Sequence, residues 1–386
     1  MTDKDKPDDD VLNIELEDLD EDAEPPASRG YPATPGGDDD ALVIEVEDLD
    51  EEPQPAGYPA AAGDYPAVQP GSGYDMYAKA KKNPVAAIFG NLMLQMFIAG
   101  LIGGALAGLL NELWYERAEG AIGTYTVVMI FTAVAGGLIG AALGATDGLL
   151  TGVYAKMGKE AGLGLLVGAA GGALAGLVAQ FAFALIGPDL SQLTLKLILA
   201  RTIGWALAGM GIGLAQGVRY FNFNRILNGL VGGAVGGFVG GLLFDPITVV
   251  TGGGAASRIL GLAVIGAVTG AAIGLLEEVR KEAWFTIVEG PLTGKEFILY
   301  KQTTSIGSAG YCDIPLLKDP HVAPQHAQIQ QSGNAFMLIS LAGAEAVLVN
   351  GQPTARHSLN SGDLVHIGAT AFFYQDRAVE ANQYTQ

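Results

Sequence analysis

The sequence predicts a multi-domain chain in three parts: a disordered acidic tail, an all-α glycine-zipper transmembrane bundle of about six helices, and an all-β sandwich. Three observations carry this reading. Residues 1–75 hold 23 Asp/Glu and 3 Lys/Arg, so the whole formal charge of −20 resides there. Hydrophobic residues form 49 % of the chain and charged ones 16 %, and 56 glycines follow no strict three-residue period, which excludes collagen. From Trp284 onward, short alternating runs separated by turn signals replace the long apolar stretches, the pattern of a sandwich. The predicted boundaries are 1–75 for the tail, 76–283 for the bundle, 284–376 for the sandwich and 377–386 for a short C-terminal tail.

The tail contains a tandem repeat, DDDVLNIELEDLDE at 8–21 and DDDALVIEVEDLDE at 38–51, set in Pro- and Gly-rich spacers. Low hydrophobicity and dense like charge do not offset chain entropy, so the segment is predicted to be disordered. Within each copy, Ile14–Leu19 and Ile44–Leu49 alternate apolar and acidic residues, which suits a short element formed on a partner. A solvating acidic brush is the plainer reading. Duplication favours a bivalent docking motif, because a second copy raises effective concentration without new contacts. The N-terminus lacks an apolar run, so no cleavable signal peptide is expected.

Six candidate spans follow, at 85–110, 122–146, 162–187, 198–218, 226–244 and 258–276, each near the length that a ~30 Å hydrocarbon core requires. The fifth, within Arg225–Phe244, carries Gly229, Gly233, Gly237 and Gly241 in one row and Gly232, Gly236 and Gly240 in another. In water each interior glycine would weaken a helix by up to ~1 kcal/mol. In lipid the backbone must pair with itself, and glycine at four-residue spacing lets a neighbouring backbone come close. The third span repeats the pattern with Gly164, Gly168, Gly172 and Gly176. A likeness among the last three spans, opening with Arg201, Arg225 and Arg258, suggests duplicated hairpins.

Basic residues beside the spans set the orientation. Lys79–Lys82, Lys156 with Lys159, Arg219 with Arg225, and Arg280 with Lys281 fall on one side, which places both termini in the cytoplasm of a multi-pass cell-membrane protein. No ionisable side chain is expected mid-span; Asp147, Arg201 and Arg258 fall at edges. The polar residues within spans are Asn91, Gln95, Gln180, Gln216 and Asn228. They read either as interhelical hydrogen-bonding groups or as the lining of a narrow pore. Residues 277–283, EEVRKEA, read as the last helix continuing into water.

The C-terminal part resembles a forkhead-associated (FHA) domain through TTSIGSAGYCDIPL (303–316), DPHVAPQHAQI (319–329), VLVNGQ (347–352) and LNSGDLVHIGATAFFY (359–374). The resemblance covers about residues 284–376, and the whole architecture is similar to prokaryotic polytopic proteins with a Gly-rich membrane region followed by an FHA module. It implies a β-sandwich whose loops bind phosphothreonine peptides. Gly307 matches the glycine that opens the phosphate loop, but Ser308 stands where the family has the phosphate-gripping arginine. Ala323 replaces a serine, His326 matches the loop-shaping histidine, and Asn350 with Gly351 match the pair whose asparagine would bond the peptide backbone. Losing the charged contact and the hydroxyl costs about 1.5–3 and 0.5–1.5 kcal/mol. That is on the order of a hundredfold to a thousandfold in affinity, unless Lys318 or Arg356 compensates. Cys312 reads as a small core residue.

No P-loop, kinase signature, GxSxG or metal-ligand set occurs in the sequence, so no enzyme, cofactor or metal is expected, and no nucleic-acid partner. The expected function is an integral membrane scaffold displaying a degenerate FHA-type module and an acidic bivalent tail to cytoplasmic proteins. Its expected partners are those proteins, the lipid bilayer and a second copy of itself. The alternative is a transporter or channel subunit regulated by phosphopeptide binding.

Overall fold

A computed structural model describes residues 72–83, 90–118, 123–187, 194–218, 223–317, 319–333, 335–343 and 346–377. Both acidic repeats, the predicted disorder of the tail, Arg219, Lys318 and residues 378–386 lie outside the described residues, as do the side chains of Gln216 and Arg225. The helices are α1 (Ser72–Lys82), α2 (Leu92–Glu112), α3 (Thr124–Thr151), α4 (Tyr154–Ile186), α5 (Leu195–Val218), α6 (Phe223–Thr251) and α7 (Gly254–Arg280), with one helical turn at Tyr115–Ala118. Six of them, α2 to α7, are long and apolar enough to cross a membrane.

Two details differ from the sequence expectation. Asn91 is not an amide inside a span. It precedes α2 and caps it, its side chain accepting from Leu94 N at 2.9 Å; this satisfies an N–H that a helix start leaves free. The fifth span does not stop at 244, because α6 runs through Pro246 to Thr251. The missing proline N–H breaks one rung, while Thr248 and Thr251 hydroxyls donate to Phe244 O and Ile247 O at 2.9 and 2.8 Å.

Glycine spacing dictates how the six helices assemble. A methyl built on Gly136 would overlap Gly168 O, one on Gly164 would overlap Gly140 O, and Gly172 and Gly176 press on Thr132, so α3 and α4 form one antiparallel zipper. Gly209 with Gly233, Gly213 with Gly229, and Trp205 with Gly237 and Gly241 join α5 to α6. Gly100 with Gly266, Gly104 with Leu262, and Met96 with Gly270 join α2 to α7. The second glycine row of α6 serves a different neighbour: Gly232, Gly236 and Gly240 face Ile273, Thr269 and Ile265 of α7. Gly171–Gly211 and Gly103–Ile139 complete the contacts of α4 with α5 and of α2 with α3. The helices thus close into a six-membered ring, and α3, α5 and α7 touch across its axis. Ile139, Leu143, Ile212, Ile265 and Ile273, at most 1 % exposed, fill that centre.

The sandwich comprises β1 (Ala283–Glu289), β2 (Glu296–Ile298), β3 (Thr303–Gly307), β4 (Ile314–Pro315), β5 (Ala327–Ser332), β6 (Ala335–Ser340), β7 (Val347–Val349), β8 (Gln352–Pro353), β9 (Arg356–Ser358), β10 (Leu364–Ile367) and β11 (Thr370–Asp376). Its sheets run β2-β1-β11-β10-β7-β8 and β4-β3-β5-β6-β9. Alternating inward residues such as Phe285, Ile306, Ile329, Leu338, Val365, Phe372 and Tyr374 form the core between them. On the outer face, α1 crosses position 75 and stacks Tyr77 on Phe373, ring centroids 5.0 Å apart, burying Ala80 beside Val288, Leu364 and Ala371.

Candidate functional site

β3 ends at Gly307 because the next strand-connecting loop passes directly over it. A Cβ there would overlap Pro324 O and lie 3.0 Å from Ala323 O. The two loops are then stitched through their backbones: Ser308 N donates to Ala323 O at 2.9 Å and Ala309 N to Pro324 O at 3.2 Å. The Cys312 thiol donates to Pro324 O at 3.2 Å. It is buried, and that burial pushes its pKa up.

His326 locks the same loops from below. Its Nδ1 accepts from Ala323 N at 3.1 Å and its Nε2 faces Ala346 O at 2.9 Å. That arrangement requires the neutral tautomer with the proton on Nε2. Burial, opposed by the Ala346 carbonyl, moves its pKa below the ordinary histidine value. Asn350 (φ 51°) and Gly351 (φ 80°) form the two-residue turn between β7 and β8; two consecutive left-handed residues suit such hairpins. The Asn350 amide is engaged within the domain, donating to Asp363 Oδ1 at 2.8 Å and accepting from Leu364 N at 2.9 Å. Asp363 also accepts from Asn360 N at 2.8 Å and meets His357 Nε2 at 3.0 Å.

The fold therefore gathers Gly307, Ser308, Ala323 and His326 in one loop pair. Ser308 is half-exposed, whereas Ala323 is buried and offers a ligand nothing. Arg356 does not stand in for the missing arginine. On β9 it pairs with Ile339, which pairs with Gln328, which pairs with Ser305, and three strand spacings amount to about 14 Å.

A second cluster, which the sequence reading missed, joins this module to the bundle. Asp147 at the end of α3 takes Lys156 at 2.6 Å and Lys295, from the β1–β2 turn, at 3.3 Å. Glu296 takes Lys81 of α1 and Lys281, each at 2.7 Å, and the Lys281 ammonium stands 4.2 Å from the Trp284 ring centroid. Glu277, Lys281 and Ala283 are buried in this seam, whereas Val279, Arg280 and Glu282 stay exposed, so residues 277–283 meet water on one face only. A cavity of about 180 Å³ lies within the seam, lined by Gln95, Asp147, Glu160, Tyr300, Lys301 and Asp313 among others. The one sequence signal for it was Asp147, a lone carboxylate near the end of an otherwise uncharged run.

A two-sheet sandwich with histidine-braced loops, mounted on a polytopic helical bundle, defines the class: a membrane-anchored FHA-type module. Residues 286–377 match the family model described as the inner membrane component of T3SS, cytoplasmic domain. The chain is also similar to an oxoglutarate dehydrogenase inhibitor of Corynebacterium jeikeium, 27 % identical over 26 % of this chain and 68 % of that protein. It is 33 % identical to the glycogen accumulation regulator GarA of Mycolicibacterium smegmatis over 22 % of this chain, and spans about half (54 %) of that relative. Among solved structures, an FHA domain from Chlamydia trachomatis shares 26 % identity over 25 % of this chain and 97 % of that chain, with a TM-score of 0.23. An N-terminal FHA domain from S. cerevisiae, in complex with a phosphothreonine peptide, shares 13 % over 26 % of this chain and 98 % of that chain, also with a TM-score of 0.23.

Proposed function

We propose that this chain is an integral membrane scaffold whose FHA-type module binds a cytoplasmic protein without depending on phosphate. The observation that carries the reading is the loop pair itself: its backbones are stitched together, yet among the described residues Ser308 offers only a neutral hydroxyl where a charged fork would stand, and buried Ala323 offers no donor. The filled ring axis argues against the transporter alternative. The sandwich shares one end of the bundle with Lys81, Lys156 and Lys281, which supports a cytoplasmic module, since basic flanks stay inside. The acidic repeats supply a second, bivalent docking element for partners.

Crosslinked pull-down from native membranes tests this, comparing the full chain with Ser308→Glu and with a chain lacking residues 1–71. Loss of a distinct set of proteins from each is expected, and phosphatase treatment is expected to leave the module's set intact. Recovery that requires phosphothreonine, or solute flux through the reconstituted chain, would overturn the reading.

A further inference from the structure

We infer that the β3–β4 loop is a membrane-surface element, with Tyr311 resting among lipid headgroups beside Tyr154. The tip of that loop then rests on the bilayer, while Ser308, at its base beside β3, is left to partners. This goes beyond the scaffold reading and stands without it.

The module is tied closely to the bundle. Two residues, Lys281 and Glu282, separate α7 from β1. Lys281 is held by Glu278, Glu296 and the Trp284 ring, and Arg377 N donates to Glu282 O at 2.9 Å. From the other side, Lys295 reaches Asp147 of α3. These restraints press the β2 and β4 edges of the sandwich, through Glu296, Asp313 and Ile314, toward the end of the bundle.

The β3–β4 loop meets the α3–α4 turn. A methyl on Gly310 would lie 3.2 Å from Val153 Cγ1, and Val153 is 6 % exposed. Its neighbours Leu149 and Tyr154 are 59 % and 71 % exposed, large apolar surfaces at the end of a spanning hairpin. Depth follows from helix rise. Asp147 closes the uncharged part of α3, and the four residues from it to Thr151 add about 6 Å. The polar layer on each side of a bilayer is about 5–7 Å thick, so Val153 stands at its outer edge. Tyr311 is one residue from Gly310, ~3.8 Å along the chain, and is 69 % exposed. A ring with one polar tip is the side chain that settles at this depth. Exposed Lys159 lies on the adjoining first turns of α4 and supplies a cation for lipid phosphate.

The test uses the full chain in liposomes of phosphatidylcholine and phosphatidylglycerol. On a Cys312→Ala background, Tyr311→Cys carries an environment-sensitive fluorophore, and lipids bearing a nitroxide on the headgroup or mid-chain act as quenchers. The control is Arg356→Cys on β9, at the opposite edge of the same sheet. Headgroup nitroxide is expected to quench the label at 311 about threefold more than the label at 356, with mid-chain nitroxide weaker. Equal quenching at both positions would overturn the inference and leave the loop tip in water. Since labelling can disturb the loop, unlabelled Tyr311→Trp in the same liposomes supplies a second measurement: an emission increment blue-shifted relative to that of Arg356→Trp supports the inference, and a fully solvent-like increment overturns it.

Discussion

Two glycines of one helix separate the zipper account from a simple preference for small residues. A Cβ on Gly168 would lie 2.8 Å from the Gly136 carbonyl carbon, whereas ordinary contact begins at 3.4 Å. A Cβ on Gly162, six residues earlier in α4, would meet nothing within 4 Å. Gly168→Ala must therefore part α3 from α4 by at least about 0.6 Å, and a gap of 0.5–1 Å forfeits roughly a quarter to a half of each dispersion contact along the zipper. Overpacking of this kind costs about 1–3 kcal/mol. Gly162→Ala is expected to stay within about 0.5 kcal/mol of the parent. Adding Gly136→Ala to Gly168→Ala should cost less than the two singles together, because the first methyl has already opened the gap for the second. Reversible unfolding in mixed detergent micelles, followed by circular dichroism, measures all four variants. Equal shifts for Gly162→Ala and Gly168→Ala, or full additivity of the pair, would refute the backbone-contact reasoning.

Three further outcomes follow from the module and its seam. Tyr374 Oη is buried in the sandwich core without a hydrogen-bond partner, and burial raises its pKa; Tyr374→Phe removes an unmet desolvation penalty and should stabilise the module by about 1 kcal/mol, read as a higher melting temperature. Burial holds His326 and His366 below the ordinary histidine value, so the folded form binds fewer protons than the unfolded chain. Stability is then complete above about pH 6.5 and falls as pH drops through the unfolded value toward the folded ones; a melting temperature unchanged between pH 7.5 and 5.5 would contradict this. Asp147→Asn removes the carboxylate that Lys156 and Lys295 share at a partly exposed seam and should loosen the sandwich at a cost of about 1–3 kcal/mol. Limited proteolysis between Arg280 and Ala283 is then expected to accelerate, while the spanning helices stay protected.

Much of the bundle was legible because glycine period reports a helix face directly. Both rows of α6 were visible as rows, and each meets a different helix. The choice of neighbours was not visible: a smooth face says that something approaches, and pairing α2 with α7 depends on ring closure across the whole chain. Asn350 and Gly351 were read only as the family's Asn-Gly pair; the tight turn they form between β7 and β8 went unread, although Asn-Gly is a strong short-range hairpin signal. β8 and β9 were not legible, because two- and three-residue pairings around Pro353 carry no alternation to read. Residues 72–75 read as the end of the acidic tail and Lys79–Lys82 as a basic flank, yet Tyr74, Tyr77 and Ala80 at three-residue spacing face Phe373 and its neighbours. Glu277 and Lys281 looked solvated because charge suggests water until a second domain is known to cover it.

The three zippers share a glycine grammar but differ in where they place charge. In α5–α6 the pair Arg201–Asp245, and in α2–α7 the pair Arg258–Glu112, close the end away from the sandwich. In α3–α4 the described pair is Asp147–Lys156, at the end beneath the sandwich, and its carboxylate has a second side free for Lys295. A near-symmetric ring would offer a docking domain equivalent seats, and charge placement removes that degeneracy. Since α7 leads through two residues to β1, the covalent attachment holds the sandwich over the α2–α7 zipper while Asp147 draws it over the next. Two such restraints fix a rigid body's rotation about the membrane normal, so the displaced ion pair is accounted for by the way it seats the sandwich.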